Sequence, residues 1–308
     1  MAETAAPSIS IVMNCYNSQK YLKEAIDSVL AQTVSDWEII FWDNQSTDQS
    51  KDIVLSYSDP RIRYFLAPKH TSLGEARNLA VEKTSADWFC FLDCDDLWLP
   101  KKLEEQKKII LEHHENLGLI YTRAQILGGK YSGLEYAPHY KDKKLPEGNI
   151  LREYLLRDNF IPIVSAVINK KAFISVGGIP SDYRQSEDFY IFAAIASQYH
   201  VKAVPSVTCV YRLHDSNTSL SQAFLACVES IRVIEKFWEF TPEPFKDEFL
   251  KNRIVSRLKT LEGLHRVKSK KNTLLGLFIV MSHPLLSIEL VYRYLVKKDR
   301  NLSVSEAI

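Results

Sequence analysis

A chain of 308 residues, 46% hydrophobic and 25% charged, has a globular balance and room for one large domain with an appendage or for two modest domains. A net charge of +1 argues against wholesale nucleic-acid binding, and Met1–Ser10 lacks the basic and apolar regions of a secretory signal. The charge is uneven: from Lys246 to Ile308, 13 basic and 6 acidic residues give +7, while the preceding 26 basic and 32 acidic residues give −6.

Strand-like and helix-like segments alternate through the first 125 residues. Ser8–Asn14 is a short apolar, β-branched run, and Gln19–Gln32 carries Tyr21, Leu22, Ala25, Ile26, Val29 and Leu30 at helical spacing. Glu38–Trp42 predicts a strand, Asp48–Tyr57 a helix, Arg61–Leu66 a strand and Leu73–Lys83 a helix. Trp88–Leu92 predicts the fourth strand, Pro100–His114 a helix with proline in its first turn, and Leu119–Thr122 the fifth strand. Such alternation predicts a mostly parallel sheet covered on both faces, with ligands beyond the carboxyl ends of its strands. Asn14–Asn17, Asp43–Ser46 and Asp93–Asp96 follow strands one, two and four, so these polar clusters should share one sheet edge. Gly128–Asn149 reads as a hairpin or loop insertion, Ile150–Arg157 as a short helix and Phe160–Asn169 as a strand. Ser186–Gln198 reads as a helix opening on Glu187 and Asp188, Lys202–Tyr211 as a strand, and the chain after about Ser221 as consecutive helices.

Five scattered cysteines (Cys15, Cys90, Cys94, Cys209, Cys227) include no CxxC pair, so free thiols in a reduced cytosolic setting are expected, without zinc or a disulfide framework. The 10 glycines form neither GxGxxG nor GxxxxGK[ST], which excludes the usual dinucleotide and P-loop fingerprints. The strongest local signal is Leu92-Asp93-Cys94-Asp95-Asp96 behind an apolar strand. Three carboxylates within four residues repel one another, and a magnesium or manganese ion holding a diphosphate relieves that repulsion. The same string also suits a helix cap, and alone it leaves both readings open.

The ordered set of motifs is more specific. Asn14-Cys15-Tyr16-Asn17, Asp43-Asn44-Gln45-Ser46-Thr47-Asp48, Glu75-Ala76-Arg77-Asn78, Asp93-Cys94-Asp95-Asp96, Ser186-Glu187-Asp188 and Tyr211-Arg212-Leu213-His214 follow one another in the chain. In this order they resemble the family 2 inverting glycosyltransferases of the GT-A fold, of the bacterial polysaccharide and lipid-linked glycan type, from about Ser8 to Ser219. Asn14 stands where that family usually has proline, and Asn44-Gln45 where it has Asp-Gly.

The resemblance implies a nucleotide-binding set of Cys15, Tyr16, Asn17, Asp43, Arg77 and Asp93, with Tyr16 packing on the base and Asp43 accepting from a uracil-like imide. It implies Asp95, Asp93 and His214 as ligands of Mn2+ or Mg2+. Asp188 would be the base that deprotonates the acceptor hydroxyl, with Glu187 orienting the acceptor or Asp188 itself; without the resemblance, these two acids also suit an ordinary helix N-terminus. The implied fold is an α/β, GT-A-like catalytic domain over 1–220, with its nucleotide half at about 1–125 and its acceptor half at about 126–220, followed by a helical C-terminal extension over 221–308. The implied activity is metal-dependent, inverting hexosyl or N-acetylhexosaminyl transfer from a nucleotide diphosphate donor, UDP-sugar favoured, to a hydroxyl of a glycan or lipid-linked acceptor. A sugar nucleotidyltransferase would need a glycine-rich basic loop after strand one, yet Cys15–Lys20 holds no glycine. A non-catalytic nucleotide-sugar-binding module would have shed acidic positions, yet Asp43, Asp93, Asp95 and Asp188 all stand.

The most apolar stretch, Thr273–Val296, is interrupted by His283-Pro284, Glu289 and Arg293, which a membrane-spanning helix bears badly. Basic residues flank it, as in a segment lying on anionic lipid at the inner face of the cell membrane; a helical hairpin packed on protein fits equally. The expected location is cytoplasmic, with peripheral membrane contact in the first case.

Overall fold

The computed structural model describes residues 6–112, 116–129, 132–136, 144–157, 159–214, 217, 223–241 and five positions between 252 and 262. The apolar segment 273–296 lies outside the described residues. The chain forms two compact units, one drawn from 1–149, 161–182 and 198–214, the other from 150–160, 183–197 and 215 onward.

The first unit is built on a mixed sheet. Its strands are β1 (Ile9–Cys15), β2 (Trp37–Asp43), β3 (Ile62–Leu66), β4 (Trp88–Phe91), β5 (Leu97–Trp98), β6 (Leu117–Leu127), β7 (Val167–Asn169) and β8 (His200–Arg212), in the order β3-β2-β1-β4-β7-β6-β8-β5. Its helices are α1 (Leu22–Leu30), α2 (Ser50–Leu55), α3 (Leu73–Glu82), α4 (Lys102–Glu112) and, named after α5 of the other unit, α6 (Lys170–Ser175). Strands β3, β2, β1 and β4 are parallel neighbours and β6 runs parallel to β8, whereas the β4–β7, β6–β7 and β5–β8 pairs are antiparallel. The parallel core follows from βα alternation, which ends after β4.

Alternation within β1 and β2 fills both faces of the sheet. Ile9, Ile11, Met13, Ile39 and Phe41 join Leu22, Ala25, Ile26 and Val29 of α1 in one buried cluster, the latter at i, i+3, i+4 and i+7. On the other face the Phe89 ring meets Phe173 of α6 edge-on at 5.2 Å.

Two expectations are corrected. Phe160–Asn169 is not one strand: Pro162 starts a 3-10 turn, Ile163–Ser165, and only Val167–Asn169 pairs. Proline has no N–H to give a ladder, and its carbonyl accepts from both the amide and the hydroxyl of Ser165, at 2.9 and 2.8 Å. Strand β8 is longer than Lys202–Tyr211 and accommodates Pro205 by a register jump, from Thr122↔Val204 to Arg123↔Val207. The described part of the insertion after β6 is a hairpin, with Gly133 N–H bonded to Ile126 O at 2.8 Å.

The second unit holds α5 (Leu151–Leu156), α7 (Glu187–Ala196), α8 (Ala223–Phe237) and a 3-10 turn, Trp238–Phe240. Tyr154 lies edge-on to Phe160 at 5.2 Å and tilted on Phe189 at 5.1 Å. Buried Glu229 of α8 accepts the backbone N–H groups of Arg184, Gln185 and Ser186 at 2.8–3.1 Å, fixing the approach to α7. Among the described residues no helix is long and apolar enough to cross a membrane.

Candidate active site

Adjacency of β1, β2 and β4 brings the polar clusters that follow them to one edge of the sheet. Asp43 ends β2 and is buried; its two carboxylate oxygens accept from Ser46 N–H and from the Tyr64 hydroxyl, each at 2.7 Å. Gln45 adopts φ +71, the left-handed region that favours glycine, and its side-chain amide donates to Ala67 O. The substitution of Asp-Gly by Asn44-Gln45 therefore keeps a glycine-like turn, held by a side chain. Asn44 is tied to Thr71: its amide donates to Thr71 O at 2.9 Å and its carbonyl accepts from Thr71 N–H at 3.2 Å.

After β1, Asn17 also has positive φ, at +52; its side-chain carbonyl accepts from Thr47 N–H at 2.8 Å. Its own N–H donates to Ser46 Oγ at 3.1 Å, so the loops after β1 and β2 are stitched together. Tyr16 is 51% exposed, its ring 4.3 Å from that of His70, an aromatic surface open to a ligand. Cys15 is buried beneath this loop, and the hydrogen bond from Cys94 lowers its thiol pKa to about 7 against the opposing effect of burial.

The loop after β4 gathers most of the charge. Ser72 caps α3 by accepting from Glu75 N–H at 3.3 Å, and the helix presents Arg77, 2% exposed, to Asp93 at 2.9 Å. Arg77 also lies over the Phe91 ring at 5.1 Å. His214 Nε2 is 2.8 Å from Asp95 Oδ2. Arg212 donates through its backbone N–H to Asp96 Oδ1 and through Nε to Asp95 O, both at 2.8 Å, and its guanidinium reaches Glu24 at 2.7 Å. Gly128 allows this approach: at φ +101, a Cβ there would lie 2.4 Å from Leu213 O. Burial, and then the Asp93 charge, raise the Asp95 pKa; burial and the Asp95 charge push Asp96 well above the usual carboxylate range.

In the second unit, Asp188 opens α7. Its carboxylate accepts from the Asn159 side-chain amide and from Phe189 N–H, each at 2.7 Å, and Asn159 in turn accepts the Tyr154 hydroxyl at 2.6 Å. Glu187 beside it is buried.

Residues 10–176 match the model of glycosyl transferase family 2, more than half of the chain. The chain belongs to glycosyl transferase family 2. This glycosyltransferase is 28% identical to the Escherichia coli UDP-Glc:alpha-D-GlcNAc-diphosphoundecaprenol beta-1,3-glucosyltransferase WfgD, over 68% of this chain and 79% of that one. It is also 28% identical to an uncharacterised glycosyltransferase of Methanocaldococcus jannaschii, over 78% of this chain and 82% of the other. Its GT-A-like fold is shared with S. aureus TarS 1–349, at TM-score 0.62 and 14% identity over 93% of this chain and 92% of that one. The Pyrobaculum calidifontis mannosyltransferase PcManGT, solved with GDP-Man and Mn2+, has TM-score 0.64 and 16% identity over 96% and 84%.

Among the described residues of this glycosyltransferase, no three His, Cys, Asp or Glu side chains converge to hold a metal by themselves. Asp93 and Asp95 are oxygen donors of the kind that share a hard divalent ion with phosphate oxygens; burial, and then the Asp93 charge, raise the Asp95 pKa, and a cation would relieve that repulsion. Of the residues singled out in the sequence, the structure brings Cys15, Tyr16, Asn17 and Asp43 together in the stitched loops, and links Arg77 to Asp93 and His214 to Asp95. Sequence reasoning missed Tyr64, Glu24, Tyr154, Asn159 and Glu229, each of which touches a residue it did find or the segment that carries one. Asn159, polar ahead of an apolar run, carried a weak signal; the others look like ordinary strand and helix residues.

Proposed function

We propose that this glycosyltransferase takes a sugar from a nucleotide diphosphate donor, with UDP-sugar favoured, and transfers it with inversion to a hydroxyl of a glycan or lipid-linked acceptor. The observation that carries the reading is the Asp93–Asp95 pair behind β4, one acid held by buried Arg77 and the other by His214. Support comes from the UDP-Glc donor and diphosphoundecaprenol acceptor in the name of WfgD, and from TarS solved with UDP-GlcNAc and with UDP.

Tyr16 packs on the base, and Asp43, pinned by Ser46 and Tyr64, accepts from its imide with a remaining lone pair. Cys15 and Asn17 shape the loop beneath the base. Arg77, buried beside Asp93, braces the nucleotide. Asp93, Asp95 and His214 would hold Mn2+ or Mg2+; when bound, such an ion neutralises charge on the departing diphosphate. Asp188 removes the acceptor hydroxyl's proton as that oxygen attacks the anomeric carbon on the face opposite the leaving group. The new carbon–oxygen bond forms as the carbon–phosphate-oxygen bond breaks, and the electron pair leaves with the diphosphate. Glu187 orients the acceptor or Asp188. Residues 1–220 form the catalytic domain in this reading. The basic, apolar extension over 221–308 brings the enzyme to the inner face of the membrane, where a lipid-linked acceptor lies.

A thermal-shift screen of nucleotide sugars with and without Mn2+ tests the donor. The reading expects UDP-sugars to raise Tm, and more so with the metal. Stabilisation by no nucleotide diphosphate at millimolar concentration refutes it.

A further inference from the structure

The end of β2 and the two residues behind it tie down both ends of the segment 67–71, which follows β3. Ala67 N–H donates to Asp43 O at 2.8 Å, and Ala67 O accepts the Gln45 side-chain amide. At the other end the Asn44 amide donates to Thr71 O at 2.9 Å, while its carbonyl accepts the Thr71 N–H and hydroxyl, each at 3.2 Å. An Asp-Gly pair in place of Asn44-Gln45 could make neither side-chain donation, since a carboxylate gives no hydrogen bond and glycine has no side chain. Between the tied ends, Pro68, Lys69 and His70 are exposed. His70 Nδ1 lies 2.9 Å from Asn44 O, and because a carbonyl only accepts, that nitrogen carries a proton. The imidazole, anchored at this end, lies 4.3 Å from the Tyr16 ring at an interplanar angle of 56°. Among the described residues, His70 is the one ring in contact with Tyr16.

We infer that His70 is a positioning residue for the nucleotide donor: latched through Asn44 and Gln45, it backs the Tyr16 ring and holds it ready for a base. The inference rests on the reading of Tyr16 as the residue that packs on the base. Tyr16 is 51% exposed. The bonds from Asn17 N–H to Ser46 Oγ and from Thr47 N–H to the Asn17 side chain hold the loop that carries Tyr16, but not its ring. A ring left free on a loop gives up rotamer freedom when a ligand packs on it, whereas a ring already held gives up little. Paired rings attract beyond the area they bury, so His70 biases Tyr16 before the base arrives. The gain falls on ligands that carry a base, and a bare diphosphate receives none of it.

Calorimetry on the full chain with UDP and with methyl diphosphate, each with Mn2+, is the test. His70→Asn keeps a donor for Asn44 O but has no ring, and His70→Phe keeps a ring but has no donor. His70→Asn is expected to weaken UDP binding about two- to tenfold and to leave methyl diphosphate binding unchanged. His70→Phe should recover most of the UDP affinity. In a Tyr16→Ala background, His70→Asn should cost nothing further, because it acts through that ring. Undiminished UDP affinity in His70→Asn overturns the inference, as does an equal loss for the two ligands. So does His70→Phe binding as weakly as His70→Asn, or a full loss that persists without the Tyr16 ring. These outcomes remove only the role of His70. Wild-type protein binding UDP no more tightly than methyl diphosphate removes the base-packing reading of Tyr16, and the role of His70 falls with it.

Discussion

Asn159 donates its side-chain amide to Asp188 at 2.7 Å while its carbonyl accepts the Tyr154 hydroxyl at 2.6 Å, a chain that fixes which way the amide faces. A donor to an ionised carboxylate favours the charged form, so its loss raises the acid's pKa. With Asp188 as base, Asn159→Ala moves the acidic limb of the kcat/KM profile to higher pH and lowers turnover at neutral pH roughly tenfold. Tyr154→Phe shifts the limb in the same direction by less. A merely structural role lowers activity without moving the limb, so superimposable normalised profiles refute positioning by Asn159.

Asp188→Asn is expected to lower turnover by roughly 10²–10⁴-fold, the usual worth of a general base. Donor affinity, read by calorimetry with UDP and Mn2+, should stay within about threefold, because a base acts on the acceptor. Wild-type turnover would reassign the start of α7 to structure.

Asp95→Asn removes a charged ligand while nearly keeping shape. The enhancement of UDP affinity by Mn2+ should disappear, with metal-free affinity little changed. An undiminished enhancement in the variant rules out Asp95 as a metal ligand.

Asp96 gives a prediction about stability. Burial and the neighbouring acids raise its folded pKa, so between its ordinary range and that raised value the folded state holds the extra proton. Stability is then lost as pH rises through this window. Asp96→Asn, which keeps an acceptor for Arg212 N–H, should raise Tm at neutral pH in the absence of nucleotide, by about 2–4 °C per kcal/mol recovered. The advantage should vanish near pH 4, where both proteins carry a neutral side chain. A pH-independent difference in Tm excludes titration of Asp96 as its cause.

Physical patterns in the sequence were enough to place the ends of β1, β2 and β4 on one sheet edge, though not to order the strands, because buried parallel strands are apolar runs and the connecting helices repeat their contacts every three to four residues. The polar clusters behind them were legible for the same reason. The short extent and antiparallel direction of β7, expected only as the end of Phe160–Asn169, were not, since three residues behind Pro162 carry no period of their own. Nor was the two-residue β5, which exists only by pairing with β8 across more than a hundred residues. Motifs found Asp43 and Asp188 but not Tyr64 and Asn159, their hydrogen-bond partners, because those partners are chosen by tertiary packing and leave no spacing to read.

The tail carries the last prediction. Its apolar stretch sits between Arg266, Lys268, Lys270 and Lys271 on one side and Lys297, Lys298 and Arg300 on the other. Each basic residue near an anionic surface contributes about 1 kcal/mol, an attraction that salt screens within about 10 Å at 0.1 M. Full-length protein should therefore co-sediment with phosphatidylserine vesicles at low salt, release partly at high salt, and fail to bind once residues from Lys270 onward are deleted. Neutral vesicles should retain less protein than anionic ones, because the apolar stretch alone is broken by His283-Pro284, Glu289 and Arg293. If full-length protein binds neither vesicle and the truncation unfolds it or splits an oligomer, the tail is a packing element. A lipid-linked acceptor would then rest on the WfgD relationship alone.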